Sequence, residues 1–337
     1  MRSKLLGMLS VVLLFGLFAT KDATPVEART ARQCTRAEAE VLACPDCNDK
    51  VLFQYPADTL LHDVNAVDDI WLRLTDTATG KQGFIRALEV QTCDVEDWQT
   101  RPVIAQATGR AREIYARGLS LGNNPRTFSI VGDCQAVSEF FLGSFDNPKA
   151  YHLGDYGYLQ ATITHFGGSF SRRNVTVDNG FNVASVFSEI WADPRLCDAT
   201  ETPLDCEYRI NKPSIVIISM ETIWAGDVAV YEGYLRQIIT YWIDKGVVPI
   251  LSTKADDIEG GHLVNMTIAR LASEYDLPLW NFWLAVQPLP NHGLTDDKFH
   301  LTFGQSMFND PKRLKAGWTI RNLTALQSLD SVWRGVQ

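Results

Sequence analysis

Basic residues are in short supply in this chain. It carries 31 Lys and Arg against 40 Asp and Glu over 337 residues, a formal net charge of -9. An acidic surface of that size argues against nucleic acid or an anionic membrane as partner. Zinc-protease, phosphate-cradling and dinucleotide motifs are missing, so the sequence calls for no metal and no cofactor. There is no internal repeat and no low-complexity tract. Histidine is scarce, and His62, His152, His165, His262 and His292 have no carboxylate at a telling spacing. They read as ordinary polar residues, and Asp256, Asp257 and Asp296 read as solvated loop acids. Asn174, Asn265 and Asn322 head Asn-x-Thr sequons, which matter only in a eukaryotic source.

The first hydrophobic run, Leu5 to Ala19, follows Arg2 and Lys4 and is short for a membrane span. It has the charged leader of a secretory signal, with Val26-Glu27-Ala28 as a cleavage site. Residues 1–28 are therefore expected to be removed, with no transmembrane segment retained and the mature chain secreted. Removal takes Arg2, Lys4 and Lys21 but only Asp22 and Glu27, so the charge moves to about -10.

Seven cysteines in an oxidising compartment should pair and leave one over. Cys34, Cys44, Cys47 and Cys93 are grouped in residues 34–93, and Cys197 and Cys206 bracket a short polar loop. That leaves Cys134 as the single free thiol. Metal binding through Cys44 and Cys47 is the minority alternative, and a buried inert thiol is the bland account of Cys134.

Residues 34–93 read as a small disulfide-stapled β module, because "IWLRLTDTATGKQGFIRALEV" alternates apolar and polar residues around a Gly-containing turn. Trp71, Gly80, Gly83, Phe84 and Ile85 resemble the pattern of bacterial Src-homology-3-like barrels, which implies a small all-β barrel-like module. Residues 94–125 form a helical connector, with a helix over Arg101 to Gly118 that Gly118, Gly122 and Pro125 end. From residue 126 to 337 strands and helices alternate. Buried strands are expected at 213–219, 247–252 and 277–283. Helices are expected to carry Tyr231 to Trp242, Val264 to Tyr275, and Ile320 to Trp333. Such alternation implies a parallel sheet covered by helices.

Ligands of open parallel sheets bind beyond the carboxyl ends of the strands. Three segments fall there. Gly132-Asp133-Cys134 ends the first strand and precedes a helical pattern, Ser219-Met220-Glu221-Thr222 ends the second, and Asp297-Lys298-Phe299-His300 follows the last. A nucleophile, a base and a base-orienting carboxylate could converge from these positions.

Those blocks resemble the SGNH or GDSL hydrolases over roughly residues 126–310. The Gly-Asp-Ser block appears as Gly132-Asp133-Cys134, and the Asp-x-x-His block as Asp297 to His300 followed by Leu301-Thr302. The glycine of the second block appears as Gly180. The resemblance implies a three-layer flavodoxin-like sandwich and ester hydrolysis, on an ester-bearing small molecule or an acylated polysaccharide. Cys134 would attack, His300 would move the proton, and Asp297 would orient His300. Gly180, Glu221 and Thr222 stand where the oxyanion would be held. Two positions depart from the pattern: cysteine replaces serine, and the Gly-x-Asn-Asp block reads Ser219-Met220-Glu221-Thr222. A thiolate beside His attacks acyl carbon well. An ionised Glu221 would repel the oxyanion, so it helps only when burial keeps it protonated, or Thr222 donates instead. The alternative reading is a binding module on a retired hydrolase scaffold, the barrel anchoring it to envelope polymer.

Overall fold

Every residue of the stretch Pro213 to Ser219 is buried, so this strand has both faces covered, as its unbroken apolar run requires. It is one of the central strands of a mixed α/β protein. The computed structural model describes residues 32–45, 47, 49–55, 59, 61, 64–76, 80–93, 98–221 and 228–337. The expected leader at 1–28, His62 and Thr222 lie outside the described residues.

The N-terminal part is all β. Strands β1 (Arg32–Thr35), β2 (Ala39–Leu42), β3 (Val51–Tyr55), β4 (Asn65–Ala66), β5 (Trp71–Thr75), β6 (Gln82–Arg86) and β7 (Val90–Cys93) make two antiparallel sheets. One has the order β3-β2-β6-β5-β4, and β1 pairs with β7 in the other. The alternating run forms its hairpin as written, with Trp71 opposite Arg86 and Leu74 opposite Gly83. Val41, Leu74 and Ile85 supply the small core. Gly83 lies where a Cβ would run into Val41, which is why a glycine sits mid-strand. The likeness to Src-homology-3-like barrels finds no support in this open row of strands.

The connector differs from expectation. Helix α1 spans Gly109–Ser120, capped by the Thr108 side chain, and residues 101–108 before it are not helical. Their backbone is used elsewhere: Ala105 donates to Ser328 Oγ, while Val103 and Arg101 carbonyls accept from Asn281. Pro102 in the same stretch favours extended backbone before it.

The main sheet comprises β8 (Asn124–Gly132), β9 (Pro213–Ser219), β10 (Val248–Ser252) and β11 (Leu279–Trp280), all parallel, in the order β11-β10-β9-β8. Its helices are α2 (Gln160–His165), α3 (Pro203–Asn211), α4 (Val228–Asp244), α5 (Leu263–Glu274), α6 (Phe282–Val286) and α7 (Gly317–Val336). On the outer side of β8, Val177 makes a single parallel bridge to Gly132. Side chains complete that edge: the Ile130 N–H donates to Asn174 Oδ1 and the Thr176 hydroxyl to the Ile130 carbonyl. The chain thus leaves β8 on one side and returns as β9 on the other, and this change of side marks where a parallel sheet opens a crevice.

Two elements are shorter than the sequence suggests. The strand expected over 277–283 is confined to Leu279–Trp280, because Asn281 turns its side chain to cap α6. The helical pattern after Cys134 is a single 3-10 turn, Cys134–Ala136, ended by Val137 in extended conformation.

Disulfides join Cys44 to Cys47 and Cys197 to Cys206. Cys34 and Cys134 are both free thiols, so Cys134 is not alone as expected. All three sequon asparagines are buried, Asn174 at 4%, Asn265 at 1% and Asn322 at 3% exposure, so none is open to glycosylation in the folded chain. Among the described residues no helix is long and apolar enough to cross a membrane.

Candidate active site

Gly132 ends β8 against β9, where a Cβ would meet the Ala136 methyl and the Ser219 carbonyl. Only glycine lets the chain turn there so tightly. The next residue, Asp133, is fully buried and is structural. Its Oδ1 caps the 3-10 turn by accepting from the Gln135 N–H (3.0 Å), and its Oδ2 accepts from the Glu221 N–H (2.9 Å). This clamps the ends of β8 and β9 together and holds Cys134 half-buried at the head of the turn.

His300 comes from the opposite part of the chain. Leu294 bridges Leu301, and the Thr295 N–H donates to the His300 carbonyl, closing a loop. Lys298, at its tip, has φ 60° and turns the chain back. Asp297 organises the interior. Its Oδ1 accepts from the Phe299 and His300 N–H groups (2.9 Å each), and its Oδ2 accepts from His300 Nδ1 (2.7 Å). Hydrogen bonds from Thr295 first, then from His300 and the two amides, hold the Asp297 carboxyl far below the usual range. With Nδ1 donating to a carboxylate, Nε2 carries the lone pair of a base.

Cys134 and His300 line the same cavity, of about 820 Å³. Phe140 and Trp318 also line it and stack on one another, with ring centroids 5.5 Å apart. Arg173 and Asn179 add polar groups to its wall. The thiol is not pre-ionised: burial, followed by the Asp133 and Glu221 carboxylates, pushes it up to about 11 against a weaker pull from Arg321. Any thiolate must therefore form as the proton leaves.

Of the residues expected to hold the oxyanion, Gly180 is exposed, with φ 83°, and is not on the cavity wall, although Asn179 before it is. Thr222 lies outside the described residues. Glu221 is also off the wall, because a cation claims it. Arg321 Nη2 donates to Glu221 Oε1 at 2.5 Å and to Ser219 Oγ at 2.7 Å. Gln135 Nε2 donates to Glu221 Oε2 at 3.2 Å. Burial pushes the Glu221 carboxyl up to about 7, Arg321 opposing and Asp133 and Asp256 adding to the rise. The Arg321 guanidinium is fully buried, 4.9 to 5.7 Å from the ring centroids of Phe141, Trp280, Phe282 and Trp318.

Arg321 and Gln135 carried no motif, and sequence reasoning passed over both. One signal was available: an acid buried at a strand end needs a cation, and Arg321 interrupts the apolar side of the last helix. Asp256, expected in solvent, is buried and paired with Lys254 at 2.8 Å. His262, expected as ordinary, packs edge-on against Trp98 and Trp283.

No protein-family model matches the chain, and no curated protein matches it. Among solved structures it is similar to a single-substitution mutant of an acetyl-xylooligosaccharide esterase from Geobacillus Stearmophilus. The two share 14% identity over 60% of this chain and 93% of that one, with a TM-score of 0.36, a likeness too distant to carry an argument about activity.

Proposed function

We propose that the chain is a secreted SGNH-type ester hydrolase or acyl transferase with cysteine as nucleophile, built on a flavodoxin-like sandwich. The observation that carries the reading is one cavity wall shared by Cys134 and a His300 whose Nδ1 is held by Asp297. In this reading His300 Nε2 takes the Cys134 proton as sulfur attacks the acyl carbon. The tetrahedral oxyanion collapses, breaking the bond to the alcohol oxygen, and His300 returns the proton to that oxygen. The acyl group, now on sulfur as a thioester, passes to water or to an acceptor hydroxyl that His300 deprotonates in turn. Because burial holds the thiol protonated, proton removal and attack are coupled, and the position of His300 matters more than the acidity of Cys134. Backbone N–H groups at Cys134 and the Asn179 side chain are the candidate oxyanion donors, since Glu221 is engaged by Arg321. The Phe140–Trp318 shelf suits the apolar face of a sugar ring, which favours an acylated polysaccharide as substrate.

The test is steady-state hydrolysis of acetylated sugars. Cys134→Ala should abolish turnover, and Asp297→Asn should lower kcat by a factor on the order of 10⁴ with KM little changed. Turnover that survives Cys134→Ala overturns the reading. The raised thiol and the engaged Glu221 favour a second reading, a sugar-binding module on a retired hydrolase scaffold. Wild-type protein that binds the sugars in the same cavity but cleaves none of them would establish it.

A further inference from the structure

Gln135 follows the nucleophile position, and its side chain is buried at 1% exposure. Its two amide hydrogens have two acceptors, the Phe299 carbonyl (3.1 Å) and Glu221 Oε2 (3.2 Å). One acceptor for each hydrogen holds the amide nitrogen in place. Glu221 is itself fixed by Arg321 and Ser219. The other acceptor, Phe299, precedes His300, and its own N–H donates to Asp297 Oδ1. One buried amide therefore joins the turn that carries Cys134 to the loop that carries His300.

That loop needs an anchor. Asp297 and His300 are 51% and 58% exposed at their side chains. The hydrogen bonds within it order its tip internally. Its base is held by buried Leu301 and by Thr302, whose hydroxyl accepts from the Gly317 N–H and whose carbonyl accepts from the Trp318 N–H, which leaves the place of the tip to be fixed. Among the described residues, the bond from Gln135 is the one that ties residues 296–300 to another part of the chain. We infer that Gln135 is a positioning residue: it sets the height of His300 over Cys134, and the buried Arg321–Glu221 pair exists to hold Gln135 rather than to touch the reacting atoms. The inference rests on the functional reading above. It also gives the departure at Glu221 a purpose, since an acid there can accept from Gln135 and Arg321 together.

Gln135→Met keeps the volume and removes both donated bonds. Two readouts follow. Amide hydrogen exchange at Phe299 and His300 should quicken about tenfold, the loss of one hydrogen bond, while β9 amides stay unchanged. On an acetyl ester kcat should fall about 100-fold, as expected for a base displaced by about 1 Å, with KM within about threefold of wild type. Should Gln135→Met not fold, Gln135→Asn keeps the amide but is too short to span both acceptors, and the same two changes should appear in smaller measure. A folded variant with wild-type exchange in the loop shows that Gln135 does not tether it, and one with faster exchange but unchanged kcat shows that the tether does not serve catalysis. Either result overturns the inference. Activity retained in Cys134→Ala, or a wild type without activity, strikes the functional reading instead, and the exchange measurement still decides the tether.

Discussion

Arg321→Met is the perturbation that best exposes how the site is held. Both partners of the Arg321–Glu221 pair are closed to water, at 0% and 1% side-chain exposure. Removing one partner of a buried pair costs about 3–5 kcal/mol, because the remaining charge is stranded. Methionine fills the space between the four rings and keeps soft contacts with them, so most of that cost should be electrostatic. The pH dependence then separates charge from packing. Glu221 is already raised from its ordinary value to about 7 by burial, with Arg321 pulling the other way. A carboxyl raised in the folded state contributes stability that is fully present below its unfolded value, near 4.3, and is lost as pH rises through the folded value. Wild-type protein should therefore lose stability between about pH 4.5 and 7. In Arg321→Met the opposing pull is gone, so the loss should continue above pH 7. Urea unfolding at pH 5 and pH 8, followed by tryptophan fluorescence, should show about 3–5 kcal/mol lost at pH 8 and distinctly less at pH 5. Adding Glu221→Leu should recover most of the deficit and flatten its pH dependence, since an apolar replacement of both partners is often neutral. An Arg321→Met penalty equal at both pH values would refute the reasoning, and so would a double variant no better than the single.

Cys134, raised to about 11, should react with iodoacetamide at pH 8 about 100-fold more slowly than free cysteine, its rate still climbing beyond pH 10; a plateau near pH 8 by intact-mass kinetics would contradict this. Cys34, at 0% exposure, should label only on unfolding, so a denatured, unreduced sample takes at least one label more than a native one. Cys197→Ser opens a loop closed across a sequence separation of 9 and should cost about 2–3 kcal/mol in urea unfolding, with the mutant's Cys206, at 0% exposure, labelling on unfolding.

Much of the α/β part could be read without coordinates. The run at 213–219 is apolar at every position, which only a strand covered on both faces tolerates, and it is β9 to the residue. The helical spacing of Tyr231, Leu235, Ile238 and Trp242 likewise puts them on the buried side of α4. The hairpin at Trp71 to Arg86 follows from its alternation and central glycine. Asp297 and His300 lie three residues apart in one turn, so their contact is local and legible in the spacing. Periodicity reports which face of an element is buried, and short spacings report what a turn can bring together. Both act within a dozen residues of chain.

Tertiary packing decided the rest. Residues 101–108 look helical by composition, but their amides and carbonyls are taken by Ser328 and Asn281, more than 170 residues away. Local propensity is worth tenths of a kcal/mol per residue and loses to bonds of that kind. The fate of Glu221 is the clearest case. Its neighbours in sequence suggest an oxyanion site, yet its carboxylate is engaged by Arg321, 100 residues later on the last helix. No local pattern could place that cation, because a buried charge selects its partner by distance in space, where the dielectric is low and an unpaired ion is costly.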